Sequence, residues 1–435
     1  MAALAIMLLA SLAAQANTLT AKGSDPQVMG WMQDFPPPLE RTITQPDANY
    51  PSFPKLRWSV CHLHEFLPTE GISRGLGAPS NLNYASPADF TDLRQAIDAI
   101  EFVPLNATQP VSWEASLYTN FTDGMLILHE GEVVYELYYG CLKEDGKHAA
   151  MSMTKSVTGL LAETPVAEGQ LDDSAKVIDI IPEINGSTFA NATVRQFMDM
   201  TTGVRYSEHY SDPNTDIWVY SRVASSSPKA ADFSGPDGYW EYLQQVKPDD
   251  KHGKEFHYKT INSDMLGWIV SRVTNKSVTD LTSERLWRPL GMEQDAYQTV
   301  DGKGVPFARG GLTAGLRDLG RQGLLMLNKG ALEGKQVIPK AAVEHIQSGG
   351  RKNFGSNFPA MGEASYTSQW WVFHNEHGPY AARGVHGQTV YVGPTANMVL
   401  VRFASYPRAQ YGFTDTRSLP AYQAAAEFLM TRSGQ

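Results

Sequence analysis

Ser152-Met153-Thr154-Lys155 sets a serine and a lysine three positions apart, between a hairpin-like segment and a helix-like one. On a helix that begins at or just before Ser152, positions i and i+3 share a face, so the lysine amine can reach the serine hydroxyl. Backbone N–H groups left unpaired at the helix start, and the positive end of its dipole, favour an anionic intermediate formed on that serine. The tetrapeptide therefore nominates a nucleophile together with its base. Two fixed positions in four residues also occur by chance on helix surfaces, so the surrounding sequence has to carry the assignment.

Upstream, Gly124-Met125-Leu126-Ile127-Leu128, the turn His129-Glu130-Gly131, and Glu132 through Tyr139 read as a β-hairpin. Downstream, from Ser152 to about Asp295, the pattern is mainly helical. Val194, Phe197 and Met198 form one apolar stripe; Met265, Leu266, Ile269, Val270 and Val273 form another, closed by Asn275. A polar, loop-rich stretch from Arg205 to Asp237 separates them. Gly310-Gly311-Leu312-Thr313 then precedes a helix over Leu316–Leu327. Strands follow at Gln369–His374, Gly384–Val392 and Met398–Ala404, with a last helix opened by Pro420. Strands at both ends and helices between them predict an α+β fold: one antiparallel sheet, from about 61–151 and 305–435, flanked by helices and interrupted by a helical part at about 152–304. The site is expected at the seam.

The chain has 435 residues, 42% hydrophobic and 19% charged, enough to bury a large core. Its net charge of −10 includes no basic stripe, so it lacks the electrostatic footprint of a nucleic-acid binder. Met1–Ala16 is a run of apolar and small residues ending in Ala14-Gln15-Ala16, which predicts a signal peptide and a periplasmic or secreted protein without stable membrane insertion once it is removed. Residues 17–60 are rich in proline, with Pro36-Pro37-Pro38, and are expected to form an extended arm. Cys61 and Cys141 can be a disulfide or two buried thiols. Cys61-His62-Leu63-His64 fits an alternating strand better than a metal site.

A serine–lysine pair needs a proton path to the leaving group and donors for the oxyanion. Phe256-His257-Tyr258 places a tyrosine just before the second helical stripe, and in His386-Gly387-Gln388 the small Gly387 would let a substrate approach a strand backbone. This ordered set resembles the serine β-lactamase and penicillin-binding superfamily in its class C and carboxylesterase-like branch. It is most similar to the 6-aminohexanoate-dimer hydrolase family, from about Trp58 to about Pro407. The matching blocks are Arg57-Trp58, Met151 through Ser156, Tyr206 with Glu208, Tyr210, Asp212 and Pro213, Phe256 with Tyr258 and Asn262, Leu266, Trp268-Ile269-Val270, Gly310-Gly311, Gln369-Trp370-Trp371 and His386-Gly387-Gln388.

The resemblance implies a β-lactamase-like fold and a cofactor-free serine hydrolase acting on a small linear amide or ester. Ser152 would attack the carbonyl, Lys155 act as base, and Tyr258 relay the proton to the leaving group. It further implies that Tyr210 bonds the leaving nitrogen, that the N–H groups of Ser152 and Val385 hold the oxyanion, and that Trp371 walls the pocket. Three positions depart from the pattern. His386 stands where β-lactamases and penicillin-binding proteins offer a lysine, Ser221 where the nylon-oligomer branch has an acid, and Arg309 where an asparagine is frequent. Ser221 weakens the case for a cationic substrate, while Arg309 can favour a carboxylate or pair with an acid on the rim. The competing readings are a short-chain carboxylesterase, a non-catalytic penicillin-binding-like sensor or peptidoglycan-binding module, and a metal hydrolase built on His62 and His64.

Overall fold

A computed structural model describes residues 19–44, 49–224, 233–350 and 358–434; the expected signal peptide lies outside the described residues. Its centre is the hairpin. Strand β3 (Thr122–His129) turns at Glu130 and Gly131, with φ 53° and 85°, into strand β4 (Glu132–Tyr138). Two consecutive left-handed residues are what a two-residue hairpin loop demands. Every residue of β3 is buried, as befits an interior strand covered on both faces.

Preceded in the chain by strands β1 (Thr69–Ile72) and β2 (Asn83–Tyr84), the hairpin joins five later strands. These are β8 (Ser365–Thr367), β9 (Trp370–Val372), β10 (Tyr380–Gly384), β11 (Gln388–Gly393) and β12 (Met398–Ala404). The sheet order is β8-β9-β10-β11-β12-β3-β4-β2, antiparallel except for the short β2–β4 pair. Alternation with period two sorts the side chains between two cores. Leu126, Leu128, Val390 and Val399 face the layer of the helix Leu316–Leu327, which starts and ends where the sequence pattern predicts. Met125, Ile127, Tyr391 and Leu400 face the opposite layer, which includes Tyr422, Ala425 and Leu429 of the C-terminal helix.

That last helix begins at Asp415 rather than at Pro420. Pro420 inside it leaves the carbonyl four residues earlier without its helical donor. The donor comes from another segment: Leu105 N–H bonds the Thr416 carbonyl at 2.8 Å.

Helix α1 (Met153–Ala167) and helix α2 (Ile261–Thr274) pack together, and α1 also lies against β9, β10 and β11. Asn275 takes the left-handed conformation, φ 53°, that ends α2. A smaller sheet, order β1-β6-β7-β5, links β6 (Ala296–Thr299) and β7 (Leu312–Ala314) to β5 (His148–Ala149), just ahead of Ser152.

The described part of the proline-rich arm is broken into turns and short helices such as Leu56–Ser59 instead of running extended. It is fastened at two points. Cys61 and Cys141 form a disulfide across a sequence separation of 80. Beside it Arg57, itself buried, donates to Asp123 at 2.6 Å and to Ser405 at 2.7 Å. The Cys61–His64 stretch is no alternating strand either, because Leu63–Phe66 is a helical turn. His62 stacks on Trp58 at 3.9 Å and His64 on Tyr297 at 4.7 Å, so the two rings face different aromatic partners.

Closing a loop of this length removes enough unfolded-chain entropy to stabilise the fold by about 4 kcal/mol. The double variant Cys61→Ser/Cys141→Ser is therefore expected to lower the midpoint of chemical denaturation. An unchanged midpoint would mean that the buried Arg57–Asp123 pair holds the arm by itself.

Candidate active site

Ser152 is the N-cap of α1 and directly follows Met151, whose φ of +47° is unusual for a side-chain-bearing residue. The tight turn is held from both sides. Ala150 N–H bonds the Leu312 carbonyl at 2.8 Å, while Thr154 Oγ donates to the Met151 carbonyl at 2.7 Å and accepts from Leu312 N–H at 3.1 Å. The third residue of the tetrapeptide thus ties the nucleophile turn to β7, a role that the spacing of serine and lysine did not reveal.

One helical turn on, the Lys155 amine lies 3.0 Å from Ser152 Oγ and 2.7 Å from the Arg309 carbonyl, and only 2% of Lys155 is exposed. Burial, the largest influence, pulls its pKa down to about 8. Glu208 and Asp264 oppose that shift, and Arg309 adds to it. The ammonium also stands 5.2 Å from the centre of the Tyr258 ring. Tyr258, distant in sequence, is therefore brought to the serine and lysine of α1 at the seam between the sheet and the inserted helices.

Trp371 is 1% exposed and stacks on Tyr258 at 5.5 Å. It backs the tyrosine and does not line the cavity. Its neighbour Trp370 points to the other face, where its indole N–H bonds the Ser156 carbonyl at 3.0 Å. Glu208 accepts from Tyr210 Oη at 2.7 Å, from Thr260 N–H at 2.8 Å and from Thr260 Oγ at 2.5 Å. One carboxylate thereby positions the Tyr210 loop against the start of α2.

Arg309 is not on the rim. It is 2% exposed, its guanidinium binds Asp264 at 2.7 Å, and it lies against Phe307, 3.4 Å from the ring centre, and Tyr220, 4.3 Å. Its contribution to the site is the backbone carbonyl under Lys155 and a positive charge behind it. Asp264, which the sequence patterns did not single out, is the counter-ion; burial raises its carboxyl pKa while Arg309 lowers it.

The terminal-strand motif also differs from expectation. Gly384–Val392 is not one strand, because Val385–Gly387 forms a kink between β10 and β11 with His386 at φ 65°. Gly384 is required by close approach: a Cβ there would sit 2.7 Å from the Ala150 carbonyl, so this backbone presses on the nucleophile turn and brings Val385 beside it. Gly387, at φ 100°, makes room for the buried Arg402 guanidinium and not for a substrate. Gln388 is consumed by the fold, donating to the Ala404 carbonyl at 2.5 Å and accepting from Ala404 N–H at 3.0 Å. His386 Nδ1 bonds the Tyr406 carbonyl at 2.7 Å, which places a proton on that nitrogen, and burial pushes the ring's pKa down to about 4.

Beside the nucleophile turn opens a cavity of about 690 Å³ that takes in Met151, Tyr210, Trp218, Val385, His386 and Arg408. Ser221 belongs to a second, smaller chamber of about 150 Å³ that shares Met151 and Trp218 with the first. The Ser221 hydroxyl bonds the Ile217 carbonyl one turn back, at 2.8 Å.

Residues 115–419 match the beta-lactamase family model. The 6-aminohexanoate-dimer hydrolase of Paenarthrobacter ureafaciens is 33% identical over 360 residues, covering 81% of this chain and 86% of that protein. A solved structure of a candidate 6-aminohexanoate-dimer hydrolase from Bacillus anthracis superposes with a TM-score of 0.80 at 29% identity, over 89% of this chain and 98% of that one. A class C beta-lactamase mutant, 17% identical with a TM-score of 0.56 over 79% of this chain and 100% of its own, shares the fold alone. The chain therefore belongs to the beta-lactamase family and is a serine hydrolase of its amidase and esterase kind.

Proposed function

We propose that the protein cleaves a small linear amide or ester through an acyl-enzyme on Ser152, with 6-aminohexanoate-dimer hydrolysis as the best single activity to test. The observation that carries this reading is the buried Lys155 amine at 3.0 Å from Ser152 Oγ. In its neutral form that amine accepts the Ser152 proton as Oγ attacks the carbonyl carbon. The Arg309 carbonyl holds the amine in place through one of its N–H bonds. The N–H groups of Ser152 and Val385 stabilise the oxyanion, and the start of α1 adds its dipole. Tyr258, close to the amine, passes the proton to the leaving nitrogen or oxygen, for which Tyr210 is a second partner. The C–N or C–O bond then breaks and the acyl group stays on Oγ. Water, giving its proton back along the same path, releases the acid and restores Ser152.

His386 does not replace the missing lysine of the penicillin-recognising enzymes, since its ring is engaged by the Tyr406 carbonyl. That supports an open-chain substrate over a β-lactam. Ester cleavage by the same residues is the second reading, favoured by the apolar walls that Phe53, Leu56, Trp218 and Phe413 give the cavity. We further propose export. The Cys61–Cys141 disulfide supports it, because such bonds persist in oxidising compartments. No helix among the described residues is long and apolar enough to cross a membrane.

Three measurements test these readings. In the first, p-nitrophenyl esters, linear 6-aminohexanoate oligomers and nitrocefin are offered to the wild type and to Ser152→Ala, together with a fluorophosphonate probe. Labelling and turnover are expected to fall by at least about 10³-fold in the variant; labelling that survives would move the nucleophile elsewhere. Lys155→Ala is expected to lose about 10²–10⁴-fold, and near-normal activity would remove the base assignment. The second is a pH profile. With Lys155 at about 8, kcat/KM rises through that value as the amine deprotonates. Glu208→Gln removes a negative charge that favours the protonated amine, so the rise should move to lower pH; a move upward would contradict the electrostatic account. The third is N-terminal sequencing of protein recovered from the periplasm or medium, which should begin at Asn17. A cytoplasmic, uncut chain would refute export.

A further inference from the structure

The larger cavity has one charged wall. Among the described residues that line it, Arg408 alone carries a charge at neutral pH, because His386 is held neutral. Arg408 is exposed and forms no ion pair among the described residues, and its guanidinium lies over the Phe413 ring at 4.4 Å. Such stacking orients the planar group without using its N–H donors.

The segment that bears it is fixed to the site. His386 N–H bonds the Ala409 carbonyl at 3.2 Å, Tyr406 N–H bonds the His386 carbonyl at 3.1 Å, and His386 Nδ1 bonds the Tyr406 carbonyl at 2.7 Å. Three hydrogen bonds from one residue thus latch Tyr406–Ala409 beside Val385, the residue whose N–H the mechanism uses. Neither Ser221, which stands where the family pattern has an acid, nor Arg309, which the sequence offered as a carboxylate partner, supplies a charged substrate contact: Ser221 is uncharged, and Arg309 is buried against Asp264.

We propose that Arg408 is a carboxylate subsite, so that the preferred substrates carry a carboxylate at the far end of an apolar arm from the scissile amide or ester. This rests on the hydrolase reading above. The apolar walls of the cavity take the arm, and the guanidinium takes both carboxylate oxygens in its fork. Because Arg408 is exposed, the gain is screened by solvent and salt and is modest in size.

The test compares anionic and neutral members of two matched pairs. For the acyl arm these are mono-p-nitrophenyl glutarate and p-nitrophenyl pentanoate; for the leaving arm, N-butyryl-6-aminohexanoate and N-butyrylhexylamine. In at least one pair the wild type should favour the anionic member in kcat/KM, relative to Arg408→Gln, by about fivefold. The difference should appear mainly in KM and shrink at high salt, with partial recovery in Arg408→Lys. Ratios that Arg408→Gln leaves unchanged in both pairs would overturn the subsite while the hydrolase stands. Hydrolysis of none of the four compounds would overturn the hydrolase reading and the subsite with it.

Discussion

The structure depends on keeping a lysine amine out of water. An ammonium taken into a protein interior loses its hydration, and unless partners compensate it sheds its proton instead. Here compensation is incomplete by construction. Lys155 receives two neutral acceptors, Ser152 Oγ and the Arg309 carbonyl, while the charged groups around it pull in opposite directions: Glu208 and Asp264 favour the cation and Arg309 opposes it. Burial decides the outcome, and the amine ends near the neutral range, where it can accept a proton. The same burial requires α1 to run through the seam between the sheet and the inserted helices, so the catalytic chemistry and the packing of the core are one constraint.

Around that helix the fold fixes the nucleophile by backbone bonds on both sides. Thr154 and Leu312 secure the turn from the small sheet, and Gly384 presses on it from the large one. The kink at Val385–Gly387 comes directly after this close approach. A regular strand would continue past the nucleophile, whereas the left-handed His386 and Gly387 turn the chain away and leave Val385 at the cavity wall. The buried Arg402 beneath Gly387 and the doubly bonded Gln388 then hold the kink open. Residues that look like a substrate-binding motif are in large part the scaffold that shapes the cavity.

Much of the fold was legible because its signals are local. The hairpin shows itself through two strand-like runs parted by the glycine-bearing turn at Glu130-Gly131, α2 through its apolar stripe closed by Asn275, and the helix Leu316–Leu327 through an amphipathic period. The errors came where distant contacts override local preference. Pro420 is a good helix opener, yet it sits inside a helix because Leu105 supplies a donor to the carbonyl left vacant. Arg309 reads as a surface cation, yet Asp264 and three aromatic rings make its burial tolerable.

By itself the sequence determined which groups are present and in what order: a serine and lysine on one helical face, a tyrosine before a second helix, and a glycine-bearing motif near the end. Periodicity and turn chemistry are written in neighbouring residues, so these features need no knowledge of what lies across the chain. Only the tertiary structure decided the environment of each group. It set the depth of Lys155, the counter-ion of Arg309, the supporting place of Trp371 behind Tyr258, and the latch by which His386 brings Arg408 to the cavity. Those properties come from desolvation and from contacts between segments far apart in sequence, which no local pattern encodes.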